Sequence, residues 1–371
     1  MIGQNTIKSI VLAVAVLLGC TVSYAETTHK EDELELVHEF NVSEFIMHHI
    51  KDAHEIHLWG GAHDGVSIYL PMILLDNGTK VFSSSLLYHG EEKIAVDHAT
   101  HDSIHYTVGV GAAEGYALYH EKVYKLENGE LHFQDGHPHN AKPTSLSITK
   151  NVVVLFLVSL IVCWFAFSTA KHYKKNGAVA PKGIAKFIEP LVIFVRDDIA
   201  KDNIGEHKYQ KYTPYLLTVF FFVLTGNLLG LVPMLAANLT GNITITFFLA
   251  VCTLLATVLS GNKNYWQHIF ATPGVPKPLL IIMMPIELVG ILTKPFALMI
   301  RLFANMTAGH VIILAFIGII FINKNIAWGA LSVPMALFIS VLEILVAFLQ
   351  AYLFAMLSAL FIGAAVEEAH H

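Results

Sequence analysis

The most constraining feature of this chain is a long apolar run, Leu279 to Ile322, with Arg301 near its middle. The run is long enough to lie within a bilayer. An arginine at that depth costs at least ~2.5–3.5 kcal/mol on insertion scales. It cannot shed its charge, because its pKa stays above about 12. Only two arginines occur, Arg196 and Arg301. The charge at 301 is therefore either paired inside a helix bundle or put to use. As one helix the run would extend about 66 Å, roughly twice a bilayer core. It must tilt strongly, lie partly in the membrane plane, or break at Pro285 and Pro295.

Helical geometry, about 100° and ~1.5 Å per residue, sorts the polar residues of the run. Glu287, Lys294, Arg301 and Asn305 fall within about 40° of one direction and form a stripe. His310 points to the opposite side, about 13 Å beyond Arg301 along the axis. The final apolar segment, Ala330 to Val366, repeats the device, with Glu343 and Gln350 on one face about 10 Å apart. In an antiparallel hairpin, residues at equal depth lie symmetrically about the turn. About the polar turn Asn323-Lys324-Asn325, Arg301 falls level with Gln350 and His310 with Glu343.

The string Arg301-Leu302-Phe303-Ala304-Asn305-Met306-Thr307-Ala308-Gly309-His310, with Glu343 and Gln350 in the final segment, resembles subunit a of the rotary F-type ATP synthases. The likeness runs from about Lys150 to the C-terminus and includes Asn227 to Pro233 and Pro285-Ile286-Glu287. It implies a proton-channel stator with two offset half-channels. His310 and Glu343 would serve the extracytoplasmic side and Glu287 the cytoplasmic side, with Arg301 between them. Gln350 would position Arg301, and Asn305 would line the path. Lys294 reads as a side chain snorkelling to the interface. The implied partners are a rotor ring of c-type subunits, peripheral-stalk b-type subunits, the rest of the complex and the lipid bilayer of a bacterial inner membrane.

The fold class expected is an all-α polytopic membrane protein of about five membrane helices. It includes a long tilted helical hairpin and is preceded by a small α+β extracytoplasmic domain. Mean hydropathy of +0.57, with 54% hydrophobic and 14% charged residues, agrees with that class. A net charge of −6 and a pI near 6.4 carry no nucleic-acid signal. No phosphate loop of the G-x-x-x-x-G-K-[ST] kind is present, so nucleotide chemistry would belong to partner subunits. No catalytic residues, cofactor or metal are expected. The rival class is a proton-coupled secondary transporter, which predicts an inverted repeat that the sequence lacks.

Three sections follow one another along the chain. Residues 1–25 read as a signal peptide: Lys8, an apolar core from Ile10 to Leu18, and a small-x-small site at Ser23-Tyr24-Ala25. Leu17 to Cys20 also fits a lipoprotein box. Residues 26–145 hold 15 of the 21 histidines and read as the α+β domain. A helix is expected over Glu39 to Ile56, placing His54 and His57 on one face. Strand pairs are expected about Asp76-Asn77-Gly78 and Asn128-Gly129. The histidines suit a solvated surface, a proton buffer or a metal module, although no ligand spacing is complete.

Residues 146–371 form the membrane domain. Spans are expected at Asn151–Ala170, Tyr215–Leu235 and Ile243–Ser260, ahead of the long hairpin. Lys171, Lys174, Lys175, Lys182 and Lys186 mark the cytoplasmic end of the first span. An interfacial helix carrying Arg196 should follow, over Ile184 to Ile199. Asn227 suits either a helix–helix hydrogen bond or a channel lining.

Overall fold

Short alternating segments build the N-terminal unit of the computed structural model, Met1–Val153 with Pro233–Ala237. The residues described are 21–23, 46, 50–59, 66–76, 78–96, 103–177, 183–232, 238–270, 276–323 and 326–367. The strands are β1 (Thr21–Ser23), β2 (Glu55–Trp59), β3 (Val66–Tyr69), β4 (Pro71–Leu75), β5 (Thr79–Ser83), β6 (Glu91–Val96) and β7 (Ser103–Val108). They continue as β8 (Tyr116–Tyr119), β9 (Lys122–Lys125), β10 (Phe133–Gln134), β11 (His137–Pro138) and β12 (Thr144–Ser145). A one-turn helix, α1 (Ser85–Tyr88), follows β5. The sheets are ordered β1-β3-β2, β12-β4-β5, β6-β7-β8-β9 and β10-β11.

Period-two alternation sends Met72 and Leu74 of β4 and Phe82 of β5 inward against Leu87, Tyr116 and Leu118. Ala117 points the other way, into a second cluster with Tyr106, Tyr124 and Phe133. β8 is thus buried on both faces.

Two sequence expectations change here. Ile46 and Ile50 are helical, but the end of the expected Glu39–Ile56 helix is strand β2, paired with β3. His54 and His57 therefore do not share a helix face, and His48 and His49 lie outside the described residues. Cross-strand pairing with Val66–Tyr69 outweighs the weak three-to-four spacing. Second, β9 pairs not with 131–133 but with β8, across a two-residue turn at His120-Glu121. Both turn residues take left-handed φ, 48° and 64°, as a type I′ hairpin demands. The Asn128-Gly129 turn exists but closes only a Glu127–Glu130 bridge. Of the expected leader, only Thr21–Ser23 lies among the described residues.

Helices make the second unit, Val154–Val232 with Asn238–His371. α2 (Lys150–Asn176) enters it from the first. α3 (Ala185–Phe194) runs through a π-helical stretch, Val195–Lys201, into α4 (Asp202–Ile204). Then come α5 (Tyr209–Gly230), α6 (Ile243–Ser260), the short α7 (Lys263–Phe270), α8 (Lys277–Asn323) and α9 (Gly329–Val366). Among the described residues, five helices are long and apolar enough to cross a membrane: α2, α5, α6, α8 and α9.

α5 stops at Gly230 rather than Leu235, with Pro233 close behind in sequence. α8 runs unbroken through Pro285 and Pro295 for 47 residues, which excludes a break at either proline. Its length is about 70 Å. On α9, Ala347, Ala351, Ala355, Ala359 and Gly363 recur every fourth residue and are all buried. Small residues let helix backbones approach closely. Val195, Ile199, Leu216, Phe220, Leu302 and Phe354 fill the core around them. Asn227 makes the helix–helix bond: its Nδ2 donates to the Ala347 carbonyl at 3.4 Å, and its Oδ1 accepts from Thr240 at 2.5 Å.

Candidate functional site

α8 and α9 pack side by side and bring an acid and an imidazole together in their apolar interior. His310 Nδ1 lies 4.0 Å from Glu343 Oε1. Glu343 is buried, and neither carboxylate oxygen makes a hydrogen bond among the described residues. The His310 ring also faces two carbonyls. Nδ1 is 2.9 Å from the Met306 oxygen, one turn back on α8, and Nε2 is 3.1 Å from the Gly230 oxygen. Carbonyls only accept, so the ring nitrogen that carries hydrogen is the donor in either contact. Gly230 ends α5, where helix carbonyls lack intrahelical partners and the dipole is negative. His310 thus caps α5 while facing Glu343.

Arg301 sits on the same helix, half-buried beside buried Leu302. Among the described residues no carboxylate forms an ion pair with it. Gln350 is buried on α9, and no hydrogen bond joins it to Arg301 among the described residues. Asn305, a turn beyond Arg301, is exposed.

Toward the start of α8, Glu287 is half-buried and acts on the Tyr265 phenol of α7. Burial raises the Tyr265 phenol above its ordinary value, and the Glu287 charge adds to that. A small open cleft beside Tyr265 is lined by Thr257, Tyr265, Lys294, Pro295 and Phe361 among others. Lys294 Nζ lies 5.6 Å from the Phe361 ring centre. Of the sequence candidates, His310 and Glu343 are therefore brought together, Glu287 stands apart near Tyr265, and Arg301 lies between in the order along α8.

Residues 152–363 match the family described as ATP synthase A chain. The chain belongs to that family. It is 51% identical over 245 residues to ATP synthase subunit a 2 of Chlorobaculum tepidum, covering 64% of this chain and 67% of that one. To ATP synthase subunit a of Chloroherpeton thalassium it is 45% identical over 259 residues, 65% of this chain and 77% of that one. The Myxococcus xanthus subunit a is 46% identical over 232 residues, 61% and 75% of the two chains. Residues 45–146 match a separate family described only as a domain of unknown function.

For this ATP synthase A chain member, sequence reasoning missed two parts of the site. The Gly230 carbonyl lies 80 residues from His310, and no local pattern joins them. Gly309, beside the conspicuous His310, carries no chemistry of its own for a sequence to display. Its lack of a side chain makes room for the Glu343 carboxylate.

Proposed function

We propose that this chain is the proton-conducting stator subunit of the ATP synthase membrane sector. One observation carries the reading: on a single unbroken apolar helix, half-buried Arg301 is separate from the His310–Glu343 pair and without a carboxylate partner among the described residues. A continuous line of titratable stations would leak protons, whereas two dead-end half-paths do not. His310 and Glu343 relay protons in the extracytoplasmic half-path, and Glu287 serves the cytoplasmic one. Gln350 and Asn305 position and line the gap between them.

Arg301 attracts an ionised carboxylate of the rotor and stabilises its charged form. It repels a hydronium ion in low dielectric. The proton then crosses only by riding the rotor, which couples flux to rotation and ATP synthesis.

The rotor is a ring of c-type subunits, held against this chain by peripheral-stalk b-type subunits. The chain itself is non-catalytic and lies in a bacterial inner membrane. In this reading residues 1–25 are a leader, 26–145 an extracytoplasmic domain and 146–371 the membrane domain, with a cytoplasmic C-terminus. The lysines after the first span support this sidedness.

The test is ATP-driven and passive proton flux in membranes carrying Arg301→Ala beside wild type. Loss of pumping with passive leak kept or raised is the expected result. Normal coupling with alanine at 301 would sink the reading and favour a transporter with a structural arginine.

A further inference from the structure

The N-terminal unit holds a buried titratable cluster that the proton-path reading does not use. It lies where residues 52–54 meet the first turn of α2. The Asn151 backbone N–H donates to Asp52 Oδ1 at 3.2 Å, and the Lys150 N–H donates to the Ala53 carbonyl at 3.0 Å. His54, only 7% exposed, donates its backbone N–H to the Tyr88 hydroxyl at 3.2 Å. That hydroxyl in turn donates to Glu121 Oε2. The His54 carbonyl accepts from Ser84 Oγ at 2.8 Å and from the Leu70 N–H at 3.0 Å. One hydrogen-bonded knot thus ties α1, the β3–β4 junction at Leu70 and the β8–β9 turn to the start of the first membrane helix.

Charge makes the knot sensitive. Lys150 is buried at a helix N-terminus, where the dipole opposes a cation. The charges of Asp52, Glu121 and Glu55 act on its ammonium. Glu121 reaches in from a backbone conformation uncommon for a residue with a side chain. His54 shares two of these carboxylates, Asp52 and Glu121, and its Nδ1 is buried with no hydrogen-bond partner among the described residues. The Tyr88 phenol of α1 meets its backbone N–H, Glu55 of β2 is its neighbour in sequence, and Tyr69 of β3 lies within reach of the Glu55 charge. Glu55 acts on both tyrosines. Burial pulls His54 below its ordinary value, and Glu121 and Asp52 raise it back only in part. A charged His54 would be a buried cation competing with Lys150 for the same two carboxylates.

We propose that the domain at 45–146 is an acid-sensitive clamp on the first membrane helix, closed over Lys150 and Asn151 while His54 is neutral and opened when His54 takes up a proton. An open clamp, with its imidazole solvated, binds that proton more readily than a closed one. Closure is therefore complete above the ordinary histidine value of 6.5 and is lost as pH falls toward the lowered value of the closed state. Only the side of the membrane being sensed rests on the topology proposed above; the clamp does not.

Hydrogen–deuterium exchange of the full chain in its purified complex, at about pH 7.5 and about pH 5.5, tests the clamp. After correction for intrinsic rates, the amides of residues 150–153 should exchange severalfold faster at acid pH, up to the about tenfold that a single group of ordinary value 6.5 can supply between these two pH values, relative to α9 amides of residues 354–362. His54→Gln, which cannot become charged, should abolish the difference. Equal relative protection at both pH values in wild type overturns the clamp, whether or not the variant folds. So does an acid effect that persists in a folded His54→Gln protein. Neither result bears on Arg301, so the clamp and the proton path fail separately.

Discussion

Glu343 occupies the space that a side chain on Gly309 would need. A methyl group at 309 would overlap Glu343 Oε1 and stand 2.7 Å from Cδ and 3.1 Å from Cγ. Glycine inside a helix costs about 1 kcal/mol relative to alanine. At this position the cost is offset by letting α9 press an acid against α8 at the level of His310.

Gly309→Ala is expected to displace the Glu343 carboxylate. Overpacking of this kind costs about 1–3 kcal/mol, so the complex should still assemble. ATP-driven proton pumping, with assembly checked by immunoblot, should fall by at least about tenfold, the rate equivalent of ~1.4 kcal/mol. Wild-type pumping would mean that the Glu343 position is irrelevant to flux.

His310 has a structural and a chemical task that two variants separate. His310→Ala removes the donor facing the Gly230 carbonyl and should cost about 1–3 kcal/mol of stability, read as a lower Tm of the purified complex. His310→Gln keeps an amide donor and should recover part of that Tm, yet it cannot titrate and should not recover pumping. Recovery of both together would reduce His310 to a helix cap.

In the N-terminal unit, Lys125 bonds Asp76 at 3.2 Å and Tyr116 donates to it at 3.1 Å. The Lys125 hydrogen bond, more than any other influence, holds the Asp76 carboxyl below its ordinary value of 3.8. A lowered folded value means stability that is complete above the ordinary value and lost as pH falls through the folded one. The loosening of the 71–83 hairpin should therefore begin below about pH 4 and disappear in Asp76→Asn. Hydrogen exchange across that hairpin in an acid titration checks it; an unchanged profile in the variant would remove Asp76 from the account.

Gly363→Ala should be more disruptive than its size suggests. A methyl there would overlap the Asn203 carbonyl oxygen and come within 3.0 Å of the carbonyl carbon, both rigid backbone. The expected loss is about 1–3 kcal/mol, seen as a lower Tm, with Ser358→Ala on the same helix as the milder comparison. Equal Tm for the two variants would show that α9 and the Asp202–Ile204 turn are free to slide apart.

Periodicity and composition reach only as far as one segment at a time. The spans at Ile243–Ser260 and Ala330–Val366 were legible to within a residue or so, because apolar length is a local property. The level pairing of His310 with Glu343 was legible too, since two helices and one turn leave little freedom in register. The β8–β9 turn was not, because His120 and Glu121 lack the glycine or asparagine that signals left-handed φ.

Apolar length and helical periodicity suffice for the membrane-spanning class, the position of each polar residue along its own helix, and the stripe that holds Arg301. Tertiary structure alone decided which backbone groups meet those side chains. The Gly230 carbonyl meets the His310 ring, the space over Gly309 admits Glu343, and Asp52 meets the first turn of α2 from 99 residues away. The physical reason is that these contacts depend on backbone approach between distant segments. Such approach is set by packing between segments far apart in the chain, and the period of one segment does not say which backbone it will meet.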